Sequence, residues 1–300
     1  VGVLINILEQ GLLFSLVSIG VYITYKILDF PDLSVDSTFP LGAAISAALL
    51  VNGVNPWISI IIATLGGALA GGITAFLHVK LKITNLMAGI LVMIGLYSIN
   101  LRIMGKANVP LFNTPNLFKS SIPAIVVILI MVIVVKILLD LYLKTKSGFL
   151  LVAVGDNEQV VSSLGVNKDL VKVLGLMISN ALVALAGALT AQYQGFSDVG
   201  MGTGTVVMGL AAVIIGTSLF ERLSFIKVTT LSILGAIIYK AAIAIVLKLG
   251  LNANDLKLMT AIIVVIALCS NSGVLKFKKR KSVIGGSAKD VKSETTIQSV

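Results

Sequence analysis

Asp32, Ser34, Asp36 and Thr38 stand at alternate positions just ahead of an apolar run, and Thr203 and Thr205 hold the matching place before a later one. Grouped carboxylates and hydroxyls can hydrogen-bond a polar solute. They can equally cap helices, since Ser, Thr and Asp are preferred at N-caps. On sequence alone, a pathway lining and an ordinary polar linker are equal readings. Phe30, Tyr193 and Phe196 flank these links and read more readily as packing than as a ligand box. Lys240 lies deep in an apolar run. Its stem can snorkel to the outer surface, which is the favoured reading. The alternative is an ion pair with Asp198 or with a substrate carboxylate.

Covalent chemistry has no foothold. One Cys (Cys269) and one His (His78) leave no disulfide and no metal cluster. His78 reads as a hydrogen-bonded or snorkelling side chain. There is no G-x-x-x-x-G-K-[ST], no nucleophile elbow and no H-E-x-x-H, so the chain does not cradle and hydrolyse ATP itself. No carboxylate sits in mid-span, where proton-coupled transporters carry one. Glu9 is in the first turns of one run and Asp140 near the end of another, with Lys136 free to snorkel inward.

These residues are held by a very apolar chain. Hydrophobic residues make up 57% of it and charged residues 12%, and its mean hydropathy is +1.05. Runs near the roughly 20 residues that span hydrocarbon recur throughout. They are continuous rather than alternating, which excludes a β-barrel. The sequence predicts an all-α polytopic membrane protein with nine spans, over 3–27, 39–52, 56–79, 83–101, 122–143, 173–194, 201–220, 224–248 and 256–275. Spans two and seven are short or broken by Gly, as is tolerated where backbone faces protein or a cavity. Residues 1–275 form the membrane domain, and 276–300 form a basic and then polar tail, expected to be disordered.

Phe30-Pro31-Asp32 leads to Gly42-Ala43-Ala44, and Phe196-Ser197-Asp198 leads to Gly209 and Ala211-Ala212. Each copy follows a long span and enters a short one. With the copies starting on opposite faces, this is the pattern of an inverted repeat. The stripes Gly66-Gly67-Ala68, Ala70-Gly71-Gly72 and Ala184 to Ala188 predict close helix approach.

Lys and Arg bias places 144–172 in the cytoplasm, with Lys80, Lys82, Lys144, Lys146, Lys168, Lys172, Arg222, Lys227 and the run 276–281. Loop 102–121 runs against the bias. The N-terminus then lies outside and the C-terminus inside. The net charge of +10 is thus mostly cytoplasmic flank, with no nucleic-acid partner expected.

Within that loop Asp156-Asn157-Glu158-Gln159 opens a two-turn helix that Gly165 closes. Asp156 reads as the N-cap, with Gln159 at the reach-back position. Gly165 suits the C′ position with positive φ. A capped helix this small serves a soluble partner better than its own protein's stability, and Leu164 belongs to the same docking element.

The loop resembles the ATPase-contacting loop of bacterial ABC importer permeases of the branched-chain amino acid and ribose type. Gly148, Ala153, Gly155, Asn157, Leu164, Gly165, Val166, Asn167, Lys172 and Ser179 match that pattern. Val152 stands where Arg is usual, Val160-Val161 replace Ala-Ala, and Asn180 takes a position that is often Gly. The resemblance covers most of residues 5–275. Leu8-Glu9-Gln10-Gly11 and Leu28-Asp29-Phe30-Pro31-Asp32 look like the subgroup associated with tryptophan- or tyrosine-like substrates.

The resemblance implies a non-enzymatic subunit in the bacterial cell membrane that binds no cofactor. ATP and Mg would sit on two separate ATPase subunits. A second permease copy, making a homodimer, and an extracellular substrate-binding protein would complete the importer. An aromatic amino acid is the expected substrate, with a branched-chain amino acid or a pentose as fallback. The rival classes are an ion-gradient-driven transporter and a membrane scaffold.

Overall fold

The computed structural model describes residues 2–119, 122–220, 227–248 and 256–271, with side chains described over 258–265 of the last segment. Arg222, the run 276–281 and the tail 282–300 lie outside the described residues, as does the side chain of Cys269.

Each expected span coincides with a helix. They are α1 (Gly2–Val21, continued by a π-helical turn over Tyr22–Ile27), α2 (Val35–Val51), α3 (Pro56–Val79), α4 (Asn85–Met104) and α5 (Ala124–Tyr142). After the segments α6 (Lys146–Asp156) and α7 (Glu158–Ser163) of loop 144–172 come α8 (Lys168–Gln194), α9 (Thr205–Phe220), α10 (Val228–Lys248) and α11 (Leu256–Asn271). Among the described residues, six of these are long and apolar enough to cross a membrane, while α2 and α9 are shorter apolar helices.

Three of the starts that differ from the sequence reading have a local reason. Helix α8 begins five residues early because Asn167 accepts hydrogen bonds from the Asp169 and Leu170 amides, giving it a polar first turn that hydropathy misses. Helix α2 begins at Val35, where the Ser34 carbonyl accepts from the Ser37 and Thr38 amides. Helix α9 begins at Thr205 because 200–204 form turns. Helix α6 was not expected; Thr145 caps it through the Gly148 amide.

The repeat governs the packing. Helix α3 lies along α8 as α10 lies along α1; α2 packs on α8 and α9 on α1; α2 packs on α3 and α9 on α10; α2 packs on α4 and α9 on α11. Exchanging α1–α4 with α8–α11 therefore returns the same set of neighbours, while α5–α7 stand outside the exchange. Gly42 and Gly209 hold equivalent places. A Cβ on Gly42 would overlap the Ala184 carbonyl of α8, and one on Gly209 would crowd Val17 and Val21 of α1. The expected small-residue faces close on each other, with Gly67 and Gly71 against the α8 backbone at Asn180 and Leu176. Absent side chains let the backbones approach, so dispersion contacts replace the drive that water would supply.

The two repeat loops differ. Asp32 and Ser34 are buried in the first. In the second, β2 (Phe196–Asp198) pairs antiparallel with β1 (Asn108–Pro110), matching Asn108 with Asp198. The described part of loop 102–121, the exception to the charge bias, thus packs over one end of α8 instead of hanging free.

Candidate functional site

Two regions bring expected residues together, one at the α6–α8 end and one where the two repeats meet.

At the first, the cap is Asn157 and not Asp156. Asp156 is still in the last helical turn of α6, while Asn157 has the extended backbone an N-cap needs (φ −159°, ψ 101°). The Asn157 side-chain oxygen accepts from the Gln159 and Val160 amides at 3.0 and 3.3 Å. Gln159 therefore supplies a capped amide and has no reach-back role. Gly165 has φ +74° as expected, and the Val166 amide closes the turn on the Val161 carbonyl.

Glu158 accepts from Lys168 at 2.9 Å and pairs with Lys172, tying α7 to the start of α8. Partial burial alone would raise the Glu158 carboxyl, but the Lys172 and Lys168 ammonium groups outweigh it and hold it below the usual carboxylate range. Val161 is buried beneath this clasp, while Val160 and Leu164 are 52% and 70% exposed. The short helix thus shows an apolar edge outward on a pinned base. Lys82, Lys168 and Lys172 border one groove at this end with His78. His78 itself bonds the Ile83 carbonyl at 2.9 Å and meets Phe30 edge-on.

Asp140 forms a second node that the sequence reading missed. It accepts from Lys136 and Lys227, each at 2.9 Å, and from the Thr229 hydroxyl at 2.7 Å. Lys136 is thus an ion-pair partner and not a free snorkelling stem. The node ties α5 to the start of α10.

Where the repeats meet, the candidates divide. Asp32 is buried, accepting from Asn180 at 2.8 Å and from the Ser34 amide at 2.9 Å. Ser34 bonds Asn180 in turn, and the Thr38 hydroxyl bonds the Ser34 carbonyl. These three side chains are satisfied by protein within the α1–α2–α8 junction. Phe196 and Asp198 sit in β2, where Asp198 accepts from Asn108 and from the Gly200 amide. Asp198 makes no ion pair with Lys240, contrary to one expectation.

The remaining four face open space. Asp36, in the first turn of α2, accepts from the Gly204 and Val206 amides at 2.9 and 2.8 Å. It therefore caps α9 from the other repeat, and with Thr203 it borders a groove beside Tyr97. Thr205 and Lys240 border an inner chamber of about 120 Å³ with Phe14, Phe39, Thr190 and Tyr193. Thr203 and Lys240 border an outer chamber of about 520 Å³ with Asn6 and Gln10. Lys240 does not snorkel. Its ammonium lies 4.7 Å from the centre of the Phe14 ring. Buried Gln192, also missed, bonds Ser46, Ser59 and the Leu117 amide, holding α8 to α2 and α3.

Residues 3–272 match the family described as branched-chain amino acid transport system, permease component. A tyrosine transport system permease protein of Clostridioides difficile is 51% identical over 276 residues, 92% of this chain and 94% of that protein. A fructose import permease protein, FruF, of Bifidobacterium longum is 29% identical over 88% of this chain and 76% of its own. The ribose import permease protein RbsC of Haemophilus influenzae is 28% identical over 71% of this chain and 68% of its own. No solved structure matches significantly.

Proposed function

The chain belongs to the family of permease components of branched-chain amino acid transport systems, and from that premise we propose that it is the membrane subunit of an ATP-driven importer of an aromatic amino acid. The observation that carries the mechanism is α7. It is a six-residue helix capped at both ends, clamped to α8 through Glu158, with Val160 and Leu164 left exposed. Such an element transmits force: a rigid base gives a docked partner leverage on α8, and α8 contacts α1, α2 and α3.

In this reading two ATPase chains, carrying ATP and Mg, dock on residues 156–165 from the cytoplasm. A second copy of this chain completes the pathway, and an external binding protein delivers the solute. ATP-driven closure of the ATPases moves α7 and rocks the two repeats about their shared axis. The termini follow from the lysine bias, N-terminus outside and C-terminus inside. The grouping of Lys82, Lys168 and Lys172 at the α7 end supports that assignment. The aromatic substrate is supported by the 51% identity to a tyrosine permease, against 28–29% for the sugar permeases.

The docking role is tested by co-purification. Leu164→Glu should leave the chain inserted in the membrane yet release the ATPase. ATPase retention at the wild-type level would reject α7 as the docking element.

A further inference from the structure

Lys240 lies inside the protein, its ammonium 4.7 Å from the centre of the Phe14 ring. Among the described residues it has no ion pair; Glu9 on the neighbouring α1 spends its carboxylate on the Tyr193 hydroxyl at 2.7 Å, and Asp198 is bound within the β1–β2 pair. Among the described residues its close partner is the Phe14 ring. A cation over an aromatic face recovers only part of what an ammonium loses on leaving water. Ionisable groups inside membrane spans characteristically face water-filled cavities and mark solute paths. Lys240 does so, because the inner and outer chambers both reach it.

Its height fits an entrance. Lys240 lies twelve residues beyond Val228, about 18 Å along α10 at 1.5 Å per residue, and so far from the Lys227–Asp140 node. The inner chamber is close in size to cavities of about 150 Å³ that hold a benzene ring. Phe14, Phe39 and Tyr193 line it.

We infer that Lys240 receives the carboxylate of the transported amino acid where the two chambers join, with the aromatic side chain entering the inner one. This rests on the importer reading above and names the anchor within it. The Phe14 ring holds the ammonium between passages. Binding then exchanges one moderate contact for another, which keeps the site weak enough to release its cargo. Gln10, which borders both chambers, is placed to donate a further hydrogen bond.

The test uses the whole importer in liposomes, with L-tyrosine as the solute. Lys240→Gln should cut uptake about tenfold or more, the loss expected when a hydrogen bond to a charged group is removed. Lys240→Arg should retain most of it. ATPase association and binding-protein-stimulated ATP hydrolysis should persist in both. Wild-type uptake in Lys240→Gln overturns the inference and leaves the importer reading standing. A wild-type importer that carries only solutes lacking a carboxylate overturns both the inference and the aromatic substrate. A second measurement needs no variant: acylation of Lys240 in the wild-type complex, followed by mass spectrometry, should be slowed by tyrosine and not by tyramine. Equal acylation with and without tyrosine overturns the inference.

Discussion

Asp36 and Gly204 join the two halves of the molecule: the Asp36 carboxylate, in the first turn of α2, accepts the Gly204 amide at 2.9 Å just ahead of α9. The same carboxylate takes the Val206 amide. The N-termini of the two short helices, the equivalent elements of the repeat, therefore meet and share one acid. A carboxylate at a helix N-terminus also gains from the helix dipole.

Asp36→Ala removes the acceptor for both amides and should cost about 1–2 kcal/mol, the usual cost of losing an N-cap. Asp36→Asn keeps an acceptor oxygen and should cost less. Thermal unfolding of the purified protein measures both. Equal melting temperatures for Ala, Asn and wild type would show that the link carries no stability.

Asn180→Leu strands a buried acid. Asp32 would lose its 2.8 Å donor and keep what Ser34 supplies. Leaving a buried polar group without its partner costs about 1–3 kcal/mol, so a loss of that order is expected. The double variant Asp32→Asn with Asn180→Leu should recover part of it. No recovery in the double variant would mean that the loss comes from packing around α8 and not from the stranded acid.

The Glu158 clasp has a pH signature. Its carboxyl is held below the ordinary value of 4.5, so the folded state prefers the charged form. The stabilisation is therefore complete above that value and is lost as pH falls through the lowered one. The group is well exposed and screened by solvent, so the effect is modest. Hydrogen exchange over residues 160–164, corrected for intrinsic rate, should be about two- to fivefold faster in Glu158→Gln than in wild type at pH 7. The two should converge only as pH falls below that lowered value. A difference independent of pH would reject the ion-pair origin.

Orientation can be read by thiol labelling. After Cys269→Ser, a Cys at Asn116 should label from outside intact cells and a Cys at Asn157 should not. Labelling at Asn157 and not at Asn116 would invert the assignment and remove α7 from the cytoplasm.

Continuous apolar runs made the spans legible, and the need for positive φ made Gly165 legible. Features created by folding were not. Glu158 meets Lys168 and Lys172 only because the Gly165 turn reverses the chain, a contact with no periodic trace in sequence. Asp156 and Asn157 are both good capping residues. Only the end of α6, itself hidden in the apolar stretch 149–154, decides between them. Lys240 could be seen as an awkward charge, but whether its stem reached water depended on Phe14, 226 positions away in the chain. Asp32 and Asp36 looked alike in the linker, yet one is sealed by Asn180 and the other turns to α9. Neither partner lies near them in sequence.

The central claim is that this chain is a passive path driven through α7 by ATP. It is tested most directly by reconstitution with and without its ATPase and binding protein. With both partners present, tyrosine or tryptophan should accumulate against its gradient only when ATP is on the α7 side. Leucine and ribose serve as controls for the substrate. The chain alone should accumulate no amino acid under an imposed proton or sodium gradient, and gradient-driven accumulation by the isolated chain would contradict the account.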